Sequence, residues 1–330
     1  MRTLLAAFIV FLLFPVPASH AQPADAPTIT EWEVPWAESR PRDPIVAPDG
    51  MVWFVGQRSD YIARLDPETG EFERFELEAG AGPHNVIVDA DGTPWYAGNR
   101  AAHIGRLDPA TGEITRFETP GDGGRDPHTM IFTPTGHLWF TTQGGNHVGR
   151  LDPGTGEVDL VAVPTERARP YGLVVAPDGT PWVAAFGTNK LVSVDPETLD
   201  LREHALPRED ARPRRLDVTS DGMVWYVDYA GGRLGRLDPA SGEIEEWALP
   251  GGAESRPYAM AKDDRDRLWL FETGDTPNRL VGFDPATESF LDGGVPESGG
   301  GTVRHMVYDP DSGALWFGTD TNTIGRATIR

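Results

Sequence analysis

The stretch Asp126-Pro127-His128-Thr129-Met130-Ile131-Phe132-Thr133-Pro134-Thr135-Gly136, continued by Leu138-Trp139-Phe140-Thr141-Thr142 and His147-Val148-Gly149-Arg150-Leu151-Asp152, is one copy of a unit that recurs along the chain. Its tryptophan has counterparts, giving Trp53, Trp95, Trp139, Trp182, Trp225, Trp269 and Trp316, spaced 42 to 47 residues apart. Turns such as Asp49-Gly50, Asp91-Gly92, Asp178-Gly179 and Asp221-Gly222 stand just before the tryptophan, the glycine supplying the positive φ that a tight hairpin needs. A strand precedes that turn and another follows it. Then come Ile104-Gly105-Arg106-Leu107-Asp108-Pro109 and its relatives, a Thr-Gly-Glu or Ser-Gly-Glu turn, and a short strand such as Ile244 to Leu249. Four short strands in a unit of this length describe a propeller blade, and seven copies predict an all-β, seven-bladed β-propeller of four-stranded blades.

The remaining composition fits one such ring. With 38 Gly, 30 Pro and few helix-compatible runs, the chain reads as strands punctuated by turns, and repetition from end to end argues for a single domain over residues 29–330. The segment Ile29-Thr30-Glu31-Trp32-Glu33-Val34-Pro35 matches Ile244-Glu245-Glu246-Trp247-Ala248-Leu249-Pro250, the outer strand of an internal repeat, yet it precedes the first full repeat. The last repeat ends at Ile324 to Arg330 without an outer strand, so the N-terminal segment is expected to complete that blade and close the ring.

Residues 1–21 read as a signal peptide, with Arg2 in a short basic region, an apolar run from Leu4 to Phe14, and Ser19-His20-Ala21 at the cleavage site; residues 22–28 form a short leader. A periplasmic or secreted protein without a membrane anchor is the expectation. The chain has no Cys, which removes disulfide and thiol chemistry. A net charge of −22 should repel phosphate backbones, so nucleic acid is not an expected partner. Nucleotide-binding and Gly-x-Ser-x-Gly signatures are missing, and neither a nucleotide nor a redox cofactor is expected. A closed ring needs no second copy, so a monomer with a small molecule in its central channel is the simplest expectation.

Aligning the repeats places one variable position at the start of each innermost strand: Arg42, His84, His128, Tyr171, Arg214, Tyr258 and Arg304. These side chains should converge on the channel mouth. A second set, four residues past each tryptophan, should surround them: Gln57, Asn99, Gln143, Phe186, Tyr229, Thr273 and Asp320. His84 and His128 lie in neighbouring blades and could serve as acid and base, or each could bond a carbonyl of the next blade. Arg42, Arg214 and Arg304 could bind an anionic ligand in an acidic protein, or pair with Asp43, Asp217 and Asp320; Tyr171 and Tyr258 could stack on or bond to a substrate. Asp126 could orient an imidazole or ligate a divalent cation. His103, His137, His147 and His204 read as structural or surface groups, and His305, beside Arg304, is open to either reading.

Pro-His or Pro-Tyr-Gly opening a strand, then Asp-Gly-x-x-Trp-Phe, then Asn-x-x-Gly-Arg-Leu, resembles the virginiamycin B lyase (streptogramin lyase) family. Arg169-Pro170-Tyr171-Gly172, Trp139 to Thr142 and Asn146-His147-Val148-Gly149-Arg150 carry the likeness. The resemblance implies a lyase that opens a cyclic ester by elimination, using a histidine base and Mg²⁺ held by two glutamates in the last two blades. At those positions this chain has Tyr258 for one histidine, Thr302-Val303-Arg304 for Glu-Pro-His, and Asp320 for the final glutamate. The constellation recurs three to four blades away as Pro83-His84 followed by Asp126-Pro127-His128. In that register His128 would be the base, His84 would hold or protonate substrate, and Asp126 with Gln143, or alternatively Asp320, would hold Mg²⁺. Three functions stay open: a metal-assisted lyase on an ester or lactone, a non-catalytic propeller binding an anionic ligand or protein partner, and a lactonase-like hydrolase.

Overall fold

The computed structural model describes residues 26–329; the expected signal peptide and most of the leader lie outside them. Within that range seven antiparallel four-stranded sheets follow one another around a ring. Six are built in simple chain order, each starting with an innermost strand: Pro41–Val46, Pro83–Val88, Pro127–Phe132, Pro170–Val175, Pro213–Val218 and Pro257–Lys262. The seventh begins with Met306–Asp309, and its outer strand is supplied by Thr28–Glu33. That strand pairs antiparallel with Thr323–Thr328, Trp32 standing opposite Ile324. The ring is therefore closed by its own N-terminal strand, as the sequence predicts.

The repeated motif has a packing reason at each position. The tryptophan on the second strand stacks on an aromatic of the fourth, as in Trp95 on Phe117 at 5.3 Å and Trp225 on Trp247 at 5.4 Å. The arginine of Gly-Arg-Leu lies over the same indole, with Arg64, Arg106, Arg150, Arg236 and Arg326 all within 6 Å of theirs. The glycine before it is required because the aromatic after the tryptophan covers it: a Cβ on Gly149 would lie 2.2 Å from the Phe140 ring. Blades 4 and 6 depart, with Ser193 and Gly282 where the arginine should be, and in blade 6 Arg267 reaches over Trp269 from the preceding turn instead. Between blades, apolar faces meet in mixed clusters such as Trp182 and Leu191 of blade 4 with Leu216 and Tyr226 of blade 5.

Every complete innermost strand carries the same irregularity. Its register against the second strand slips just after the initial proline, for instance between Pro127 and Met130 and between Pro213 and Leu216. Such bulges break the strict alternation of a strand, allowing two consecutive side chains to serve the same side.

At the closure, Trp32 stacks on Trp316 at 5.5 Å with the Arg326 guanidinium over both rings. Replacing Trp32 by Ala should lower unfolding free energy by about 2–4 kcal/mol. In urea the midpoint should fall with an unchanged slope. A midpoint within error of the wild type would mean that the strand exchange does not hold the ring.

Candidate functional site

The seven strand-start positions do converge, but as a buried plug rather than an open mouth. Arg42, His84, His128, Tyr171, Arg214 and Tyr258 are each less than a tenth exposed, and only Arg304 is half-buried. The His84 and His128 rings touch, with centroids 3.6 Å apart, and Tyr171 packs against His128 at 4.1 Å. The Tyr171 and Tyr258 hydroxyls bond to each other across the channel. Arg214 sits in an aromatic cage, its guanidinium carbon 3.7 Å from the Phe186 ring centre, 4.2 Å from Tyr229 and 4.3 Å from Tyr258. The expected pairing of Arg214 with Asp217 does not form, because Asp217 accepts the Lys262 backbone N–H toward the other end of the strand.

A second tier lies beneath the first, of which sequence reasoning named only Asp43, as a possible partner for Arg42, and His305, open to either role. Asp43, Asn85, Thr129 and Arg215, each one residue further along an innermost strand, are brought inward next to the first tier by the bulges, and His305 follows Arg304 just before the seventh innermost strand. Asn85 donates to Asp43 at 3.1 Å and accepts from the Met130 N–H at 3.0 Å, linking blades 1, 2 and 3. Arg215 spans the channel, donating to Thr129 Oγ1 at 3.1 Å and to the Arg304 carbonyl at 3.2 Å. Asp43 lies 3.6 Å from both Arg42 and Arg215. Burial alone would raise its pKa, but His305 when charged, then Arg42 and Arg215, outweigh it and hold the carboxyl at about 2.

The same environment keeps the histidines neutral. Desolvation, then Arg42, pushes His84 well below its ordinary value; desolvation, then Arg215, does so for His128. His305 is lowered to about 3 by burial, which outweighs the opposing pull of Asp43, with Arg215 and Arg42 lowering it further. Burial would raise the Tyr171 phenol, yet Arg42, Arg215 and Arg214 bring it below its ordinary value. The field inside the plug is positive: Arg42 and Arg215 share the single Asp43 carboxylate.

The residues expected to hold Mg²⁺ do not fit the ion. The Asp126 carboxylate accepts from the Asn99 side-chain amide, and the Gln143 backbone N–H is bonded to the Asp126 carbonyl, at 3.1 Å. Asp320, the alternative, is bonded to Arg304 and to Arg40 at 3.3 Å. Among the described residues no group of three or more His, Asp or Glu side chains is placed to bind a metal. One carboxylate already in use makes a poor Mg²⁺ site, so no chemistry is routed through a metal here.

Exposed positive charge lies elsewhere, on the residues before the strand prolines. Arg40-Pro41, Arg169-Pro170, Arg212-Pro213 and Arg256-Pro257 repeat this dipeptide in four blades. Arg40, Arg169 and Arg256 take φ values of 52°, 51° and 46°, unusual for a residue before proline. Over blades 4 to 6, Arg167, Arg169, Arg212 and Arg256 surround a cavity of about 640 Å³ together with Phe186 and Tyr229. Arg167 and Arg169 make no side-chain hydrogen bond or ion pair among the described residues, while Arg256 has a 3.4 Å contact to the exposed Glu254. Phe186 and Tyr229 connect this cavity to the plug, since both also contact Arg214.

This architecture matches solved propellers. A selenomethionine-substituted virginiamycin B lyase from Staphylococcus aureus superimposes with a TM-score of 0.83 at 21% identity, over 92% of this chain and 100% of that one. A streptogramin B lyase structure gives 0.82 at 24% identity, over 92% and 98%. A catalytically inactive histidine-to-alanine variant of the S. aureus enzyme, solved with quinupristin, gives 0.83 at 22% identity over 92% and 100%. At such identities the likeness is one of fold. A sequence search of curated proteins finds no match. The model of the virginiamycin B lyase family, however, matches residues 27–327, and the chain belongs to that family.

Proposed function

We propose that this virginiamycin B lyase-like protein is an exported binder of small anionic molecules, which it captures at the channel mouth through Arg167, Arg169, Arg212 and Arg256. The observation that carries this reading is four arginines around one aromatic-floored cavity in a protein of net charge −22. A positive cavity in a negative surface focuses anions toward itself, and paired guanidinium groups bind carboxylates through parallel hydrogen bonds. The left-handed backbone at Arg169 and Arg256 supports it too, because strain of about 1–3 kcal/mol per residue tends to survive where a site needs it. Glu254 gives the cavity one acid on its rim, which favours a compact ligand held on the Arg169 and Arg212 side.

Elimination by a histidine base is the second reading, favoured by the contact between two uncharged imidazoles. Against it stand their burial and their low basicity, since a base works best with a pKa near the working pH. In this reading His128 would take the proton and His84 would hold substrate, both reached only if Tyr171 and Arg42 moved aside.

Citrate and succinate titrated into the purified protein should give saturable heat that weakens about tenfold in the double variant Arg169→Gln, Arg212→Gln and declines with added salt. Heat that is non-saturable, or unchanged in the variant, would sink the mouth as an anion site. Turnover of a cyclic ester that disappears in His128→Ala would instead favour the lyase.

The buried histidines also predict an acid-sensitive fold. The unfolded chain takes up protons near pH 6.5, whereas folded His84 and His128 do so only far lower, so acid favours the unfolded state. Stability should be full above about pH 6.5 and fall below it, by up to about 1.4 kcal/mol per pH unit for each histidine. Denaturant unfolding between neutral pH and pH 5 reads this slope, and His84→Gln should reduce it. An identical slope in that variant would show that His84 is protonated in the fold.

A further inference from the structure

We propose that the end of the central channel opposite the arginine mouth is a second ligand site, taking a small molecule with an apolar body and a carboxylate head directed at Arg215. A cavity of about 360 Å³ lies there, and all seven innermost strands contribute to its lining, which places it on the ring axis beneath the plug. That volume is within the range of small-ligand sites.

Its two ends differ chemically. The walls are apolar, including Ile45, Ile87, Ile131, Val174 and Val307, and each of these is part-exposed although it sits in the innermost layer. Solvent therefore reaches them through the cavity. The roof is the lower tier of the plug: Asn85, Thr129, Arg215 and His305. Arg215 is 3% exposed, and its Nη2 makes no hydrogen bond, only a 3.6 Å ion contact with Asp43. His305 Nδ1 is likewise buried and unbonded. A buried guanidinium that shares one carboxylate with Arg42, 3.6 Å from each, is a cation short of an anion. A carboxylate entering from below would accept from Arg215 and bring the second negative charge, while its apolar chain covers the strand walls. Lys262 and Asp217 stand among the lining residues as polar groups joined by the Lys262 N–H bond to the Asp217 carboxylate.

Octanoate, octanol and acetate are the probes, titrated calorimetrically into the full-length protein. Octanoate should bind saturably, with octanol and acetate each at least about tenfold weaker, because one lacks the charge and the other the chain. Val174→Phe, which fills the cavity from its wall, should abolish octanoate binding while leaving citrate binding at the mouth intact. Arg215→Met should erase the preference for octanoate over octanol; if that variant does not fold, Val174→Phe decides alone. The proposal is overturned if octanoate gives no saturable heat, if octanol binds equally well, or if binding survives Val174→Phe. Loss of octanoate binding only in Arg169→Gln, Arg212→Gln would also overturn it, assigning the ligand to the mouth.

Discussion

A ring of seven blades leaves a hole on its axis, and the side chains that fill this hole have to satisfy one another. In this protein the filling is ionic: Asp43 holds Arg42 and Arg215 at 3.6 Å each, and Arg215 ties blade 5 to blades 3 and 7. Apolar residues of similar volume would be the more stabilising choice, since desolvating charges commonly costs as much as their attraction returns. A plug with more cations than anions is harder still to explain as scaffolding. Its charge makes most sense as preparation for a ligand.

That plug also explains how the chain diverges from a lyase of its own family. At the two positions where the resemblance expects a histidine base and a metal-binding acid, Arg304 and Asp320 bond to each other, and Arg40 joins from the neighbouring blade. An acid neutralised by two guanidinium groups neither binds a cation nor takes up a proton at neutral pH, and its pKa is accordingly lowered. For the histidines of blades 2 and 3, burial and then the arginines beside them disfavour the imidazolium that a base must become.

The fold was legible because each repeat states the same packing problem: tryptophan, glycine and arginine recur where indole, ring and guanidinium stack. The first tier of the channel was legible from alignment for the same reason, and the sequence also placed Phe186, Tyr229 and Asp320 around it. Most of the second tier was not, because strand alternation sends Asn85, Thr129 and Arg215 toward the blade, and only the bulge brings them back. The signal was present nonetheless: a charged residue at a position predicted to be inside a sheet has to find a partner somewhere. The mouth arginines were missed for a different reason. Arg-Pro recurs openly in the sequence, but nothing in the repeat marks the residue before the proline as facing a cavity.

Arg214 and Arg215 are consecutive on one bulged strand, yet they face different chambers. Arg214 touches Phe186 and Tyr229, which line the mouth cavity, whereas Arg215 roofs the cavity at the far end. An anion in either chamber would draw on the same short segment of backbone and the same pool of positive charge. Two anions separated only by this plug would repel through a medium that screens poorly, so filling one chamber would weaken the other. The closed plug prevents passage along the axis, since Tyr171, Tyr258 and the two touching imidazoles occupy it. Coupling between two such ligands would therefore run through charge and strand geometry, each entering from its own side.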